Sequence, residues 1–256
     1  MSWISNKIWS FNRNTPSKRT VFFLEKYKPK EEYLRGLAQN TSELETSEEK
    51  RSKLANWIRA PVSYALCFSF DQPGSAHTCD ATKCIVRGCR IYHRRLICCS
   101  SATLEGRPII YVIRTLAAQL FWFHAASGEQ FTSKDFSDIK TDRGTMRNGV
   151  RFIRELLGLL AVQKLGCVVV IDNFHYLYGS QSDLAKDEVW ADLFKALRCH
   201  KDCMPKESKA LVKVFIRSSD SEDVLHNLGY AGEMVGAGHS SGHHPYGLLW
   251  HEIGML

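Results

Sequence analysis

The apolar residues of this chain fall into two kinds of stretch that take turns. Short runs lie at 63–70 (Ser-Tyr-Ala-Leu-Cys-Phe-Ser-Phe), 95–100 (Arg-Leu-Ile-Cys-Cys-Ser), 165–173 (Leu-Gly-Cys-Val-Val-Val-Ile-Asp-Asn) and from Leu211 to Ile216. Runs of this length with little polar alternation read as strands buried on both faces, the habit of a parallel sheet. Between them lie longer segments with helical spacing. Val150, Ile153, Leu156, Leu157, Leu160 and Ala161 mark an amphipathic helix over 147–163, and Val189, Trp190, Leu193, Phe194 and Leu197 mark another over 185–199. A helix is expected over about 78–93, and a buried one over 108–124, with Pro108 suited to its first turn. Thr46 or Ser47 is a reasonable N-cap for a helix running through Trp57, and Pro61 ends it. Strand and helix alternate, which predicts an α/β fold: a mostly parallel sheet flanked by helices and joined by right-handed crossovers.

The ends read differently. Residues 1–50 are a basic arm and a helical extension, 51–225 the α/β domain, and 226–256 a Gly/Ser/His-rich tail whose stretch 232–246 is expected to be flexible. The polar stretch 126–145 reads as a loop with a short helix. No internal repeat is visible. A chain of 256 residues holds one sizeable α/β domain, or one domain and a small extension.

Charge and cysteine usage narrow the class further. The net charge is +7, with basic residues concentrated at the start and at Arg87, Arg90, Arg94 and Arg95. Only Tyr27 and Tyr92 sit among these charges, so solvated faces are favoured over a nucleic-acid surface. No apolar run approaches 18 residues, and the first residues lack the unbroken apolar core of a secretion signal; a cytoplasmic protein is expected. The nine cysteines are scattered through apolar segments, which fits reduced thiols. His77, Cys79, Cys84 and Cys89 are the sharpest zinc candidates but lack paired C-x₂₋₄-C knuckles, and His239, His243 and His244 read as solvated loop histidines.

Chemistry concentrates at two places. One is Asp172, an acid at the carboxyl end of a core strand, where open α/β sheets bind ligands. The other is the turn Asp71-Gln72-Pro73-Gly74-Ser75-Ala76-His77-Thr78 that follows the first strand. This turn resembles the Walker A loop of NACHT-type and other STAND P-loop NTPases, many of them fungal, which often read G-x-P-G-S-G-K-[ST]. Further pieces align in order over roughly 50–220. Ser52–Ile58 resembles the helix before the first strand, and Arg95–Ser101 the second strand. Arg114-Thr-Leu-Ala-Ala-Gln-Leu120 resembles a fungal Arg-x-Leu-x-x-Gln-Leu helix motif. Val168–Asp172 resembles Walker B, and Val212–Ser219 the sensor-1 strand. The resemblance implies ATP or ADP with Mg²⁺ as the cofactor. It implies nucleotide contacts from Gly74, Ser75, Ala76, His77, Thr78, Asp172 and Arg217, with Thr78 and Asp172 as the Mg²⁺ ligands.

The departures from the family pattern decide the expected function. A P-loop turns backbone N–H groups inward at its glycines and adds a lysine charge. Here those glycines are Asp71 and Ala76, and the lysine is His77, largely neutral near pH 7. The family's I-D-A-L-D-E reads Ile171-Asp-Asn-Phe-His-Tyr176, so the later acidic pair is His175 and Tyr176. One well-placed donor to a phosphoryl transition state is worth about 10²–10³ in rate. Losing several together predicts a catalytically inactive, regulatory or protein-interaction module with at most weak nucleotide binding; Asp172 is the one catalytic candidate if activity survives. The partner would be a full-length relative or a second copy. Two other classes are carried beside it. A hydrolase or transferase on a similar sheet would draw a nucleophile from Ser69, Ser75, Cys98 or Ser218 and a base from His77 or His175, although no G-x-S-x-G elbow is present. A nucleic-acid module would use the basic N-terminal half and bind in a salt-sensitive way.

Overall fold

A computed structural model describes residues 34–36, 48–61, 64–69, 76–91, 95–100, 109–126, 145–178, 184–203, 212–219 and 222–235. In chain order the elements are α1 (Glu48–Arg59), β1 (Tyr64–Ser69), α2 (Ala76–Ile91), β2 (Leu96–Ser100), α3 (Ile109–Ala126), α4 (Thr145–Val162), β3 (Cys167–Asp172), α5 (Phe174–Tyr178), α6 (Leu184–Ala196), β4 (Val212–Ser218), α7 (Glu222–Asn227) and β5 (Glu233–Val235). The five strands form one sheet in the order β2-β3-β4-β1-β5. Every strand pair is parallel. The expected α/β class with a parallel sheet flanked by helices is therefore what the chain builds.

Period-two alternation sorts the strand side chains between two cores. Ala65, Cys67, Ile97, Val169, Ile171, Val214 and Ile216 pack with α3, α4 and α6 on one face. Leu66, Phe68, Cys98, Val168, Val170 and Phe215 pack with α1 and α2 on the other. β3 lies between β2 and β4 and is buried along its whole length, which is why its sequence is an unbroken Val-Val-Val-Ile run. On the second face Phe215 packs against two rings, a tilted Trp57 from α1 and a nearly perpendicular Phe68 from β1, at centroid distances of 6.0 and 5.3 Å.

α3 and α4 run side by side in the same direction. Near their starts, a Cβ at Gly149 would collide with the Ile113 side chain, so this glycine permits the close approach. Near their ends, His124 Nε2 donates to Leu156 O at 2.9 Å. β2 is an edge strand, and Gln119 covers its outer side. Cys98 N–H donates to Gln119 Oε1 at 2.9 Å, and Gln119 Nε2 donates to Cys98 O at 3.1 Å. The amide thus occupies a backbone donor and acceptor that would otherwise be an open edge.

The structure changes three readings. The helix expected over 185–199 ends at Ala196, because Cys199 N–H reaches back to Phe194 O while Arg198 adopts φ 61°. The fourth strand runs two residues past Ile216, to Ser218. The stretch expected to be a flexible tail contributes Glu233–Val235 as a fifth strand on the outer side of β1, in register Leu66↔Glu233. Val235 is buried against the α1–α2 face, and Glu233 pairs with Lys53 of α1. The loop expected over 126–145 gives Ala126 and Thr145 to helices, and its residues 127–144, the turn 71–75 and the histidines 239, 243 and 244 lie outside the described residues.

Candidate functional site

The chain leaves β1 through α2 on one face of the sheet, whereas β3 and β4 lead into helices packed on the opposite face. Connections that diverge in this way open a crevice at the carboxyl ends of the strands, the usual ligand position in such sheets. Asp172 ends β3 at this edge. The last paired residues of β3 and β4 are Ile171 and Ile216. Asp172 and Arg217 are therefore the next neighbours across parallel strands, on the same face, beneath α2.

The two side chains form a buried ion pair, with 6% of Arg217 and 4% of Asp172 exposed. Arg217 Nε donates to Asp172 Oδ1, and its Nη2 donates to Asn173 Oδ1. Thr82 Oγ1, from α2, donates to the same Asp172 oxygen at 3.3 Å. Asn173 sits at φ 54°, a left-handed conformation that asparagine tolerates better than most residues. That conformation turns the chain from β3 directly into the short helix α5. Arg217 thus spans two successive residues of the β3 terminus, and Thr82 ties that terminus to α2.

His175 stands beside this cluster on α5. Its Nδ1 accepts the Ser219 N–H at 3.3 Å, and its ring lies 4.1 Å from that of the exposed Tyr176. Partial burial lowers its pKa below the ordinary histidine value, the Arg217 charge lowers it further, and Asp172 opposes both. The ring is therefore neutral near pH 7.

Of the sequence-selected residues, Asp172 and Arg217 are brought together, and each is the other's partner. Ala76, His77 and Thr78 form the first turn of α2; their side chains, and Gly74 and Ser75, lie outside the described residues. Among the nucleophile candidates, Cys98 and Ser218 are buried in the sheet, and Ser69 is half-buried at the end of β1. Cys84 and Cys89 face the second core from α2. No disulfide joins the seven cysteines whose side chains are described. Among the described residues no group of three or more His, Cys, Asp or Glu side chains is placed to hold a metal.

Thr82 and Asn173 escape the sequence reading. Thr82 follows Thr78 by four positions, one helical turn, which was the available signal. Asn173 reads in the sequence only as part of a strand end, although asparagine after a buried strand is a common turn residue.

The residues fit a Mg²⁺ ion poorly. A divalent cation takes a carboxylate with open lone pairs and water around it. Asp172 is buried, its Oδ1 already accepts two hydrogen bonds, and one of these sets a full positive charge against the carboxylate. No protein-family model and no curated protein matches the chain. The likeness to P-loop NTPases rests on the motif residues of this chain and not on a related sequence.

Proposed function

We propose that this chain is a degenerate STAND/NACHT-like domain that does not hydrolyse nucleotide and acts as a regulatory or protein-interaction module, with a full-length relative or a second copy as its partner. The observation that carries the reading is the state of Asp172. The acid expected to present Mg²⁺ at the sheet edge is neutralised internally by Arg217 and held by Thr82. The sequence supports the same reading through the loss of the P-loop glycines and lysine and of the acidic pair after β3. A parallel five-stranded sheet supplies the scaffold, and among the described residues no helix is long and apolar enough to cross a membrane.

Turnover of MgATP and MgGTP, measured beside ATP and ADP calorimetry with and without Mg²⁺, tests it. The expected result is no turnover above background, and any nucleotide binding unchanged by Mg²⁺. Mg²⁺-dependent hydrolysis that disappears in Asp172→Asn would overturn the reading and restore a working signalling NTPase.

A further inference from the structure

The mismatch between Asp172 and a metal ion has a consequence for how the domain is held. In a site that works through a divalent cation, the charge neutralising the acid arrives with a ligand and departs with it. Here that charge is part of the chain. Arg217 reaches Asp172 from the adjacent strand, and its second nitrogen is fixed by Asn173. The acid is also bonded to Thr82 on α2, 90 positions earlier in the chain. Three elements (β3, β4 and α2) thus meet on one carboxylate oxygen, and all are joined through side chains that are buried or half-buried. An arginine side chain keeps its charge through the working pH range, so this counter-charge does not switch off.

We propose that Arg217 is a built-in counter-cation: it takes the place of a divalent ion at Asp172 and fixes the β3–β4–α2 edge in one state that does not respond to Mg²⁺. The inference rests on the non-hydrolysing reading and deepens it, since a domain latched in this way presents one constant surface to its partner. It also makes Arg217 the residue that sets the ionic specificity of this edge. Its replacement by a small neutral residue leaves the Asp172, Thr82 and Asn173 oxygens without the guanidinium, and oxygen donors of this kind are what a divalent ion takes.

Mn²⁺ alone, without nucleotide, is the probe, read by paramagnetic resonance and by the thermal unfolding midpoint of the full chain. The wild type is expected to show no shift in midpoint and no site tighter than the general surface background. Arg217→Ser is expected to bind Mn²⁺ at least about tenfold more tightly than the wild type and to be stabilised by it, through mass action on the folded state. Adding Asp172→Asn to Arg217→Ser is expected to abolish the gain. Arg217→Lys keeps a cation and is expected to remain blind to Mn²⁺, whereas Arg217→Gln, which keeps side-chain bulk without the charge, is expected to gain Mn²⁺ affinity and keeps the test decisive if Arg217→Ser does not fold. A wild-type site for Mn²⁺ that vanishes in Asp172→Asn overturns the proposal, and so does a folded Arg217→Ser that gains nothing. Neither result touches the turnover assay, so failure of the latch and failure of the non-hydrolysing reading are distinguishable.

Discussion

β4 carries two buried cations on the same face, Lys213 near its start and Arg217 near its end, separated by Phe215. Their fates differ. Lys213 Nζ donates to the carbonyl of Ala60, just past the last residue of α1. Burial pushes its pKa down from 10.5 to about 8. Arg217 donates to a carboxylate and to an amide oxygen at the opposite end of the strand. An amine can shed its proton when solvent is removed, whereas a guanidinium cannot. The arginine therefore needs a buried acid, and β3 supplies one at the adjacent position. The end of the strand that holds a helix terminus uses a dischargeable cation; the end where ligands usually bind uses a permanent one with its own counter-charge.

The largest break in this comparison is predicted for Asp172→Asn, which leaves the Arg217 charge buried against neutral oxygens. A loss of about 3–5 kcal/mol is expected in urea unfolding. The paired replacement Asp172→Leu with Arg217→Met is expected to recover most of that, because removing both charges removes both desolvation costs. Equal losses in the single and double variants would show that the two side chains do not act as a pair.

A neutral buried polar group gives the reference point. Gln119→Leu orphans the Cys98 N–H and C=O on the β2 edge, with an expected cost of roughly 2–4 kcal/mol. The uncovered edge is also expected to raise aggregation, visible in light scattering. A variant as stable and monomeric as the wild type would mean that solvent serves that edge as well as the amide does.

Lys213→Met tests the dischargeable cation through pH. The folded value of about 8 lies below the unfolded 10.5, so between these limits the unfolded chain binds more protons and stability from this group rises with pH. Below pH 8 the wild type carries the cost of a buried ammonium. Relative to Lys213→Met, the wild type is expected to gain roughly 2 kcal/mol as pH rises from about 8 to 10.5. Comparing the two proteins cancels the cysteines, whose behaviour is opposite: burial raises the Cys167 thiol from 9.0 to about 12. A constant difference across that window would refute the lysine assignment.

The smallest expected effect is that of Thr82→Val, which removes one hydrogen bond to a carboxylate that keeps its arginine. About 1 kcal/mol is expected at neutral pH. A loss comparable to that of Asp172→Asn would make Thr82, and not Arg217, the main support of the acid.

Much of the scaffold is legible in the sequence. The Val168–Ile171 run announced a strand buried on both faces, the 3.6-residue spacing from Val150 to Ala161 announced α4, and Asp172 was placed at a carboxyl strand end. These are local patterns, and the period of apolar residues along a segment is fixed by that segment alone. The sequence also singled out Arg217 and the helix containing Gln119, without a partner for either. Only the tertiary structure decided that Arg217 meets Asp172 across 45 positions, that Thr82 reaches the same oxygen, that Gln119 covers Cys98, and that Glu233–Val235 joins the sheet beside β1. Such pairings depend on the order and register of parallel strands, and these are set by how distant segments bury their apolar faces together, a property that no single stretch of the sequence carries.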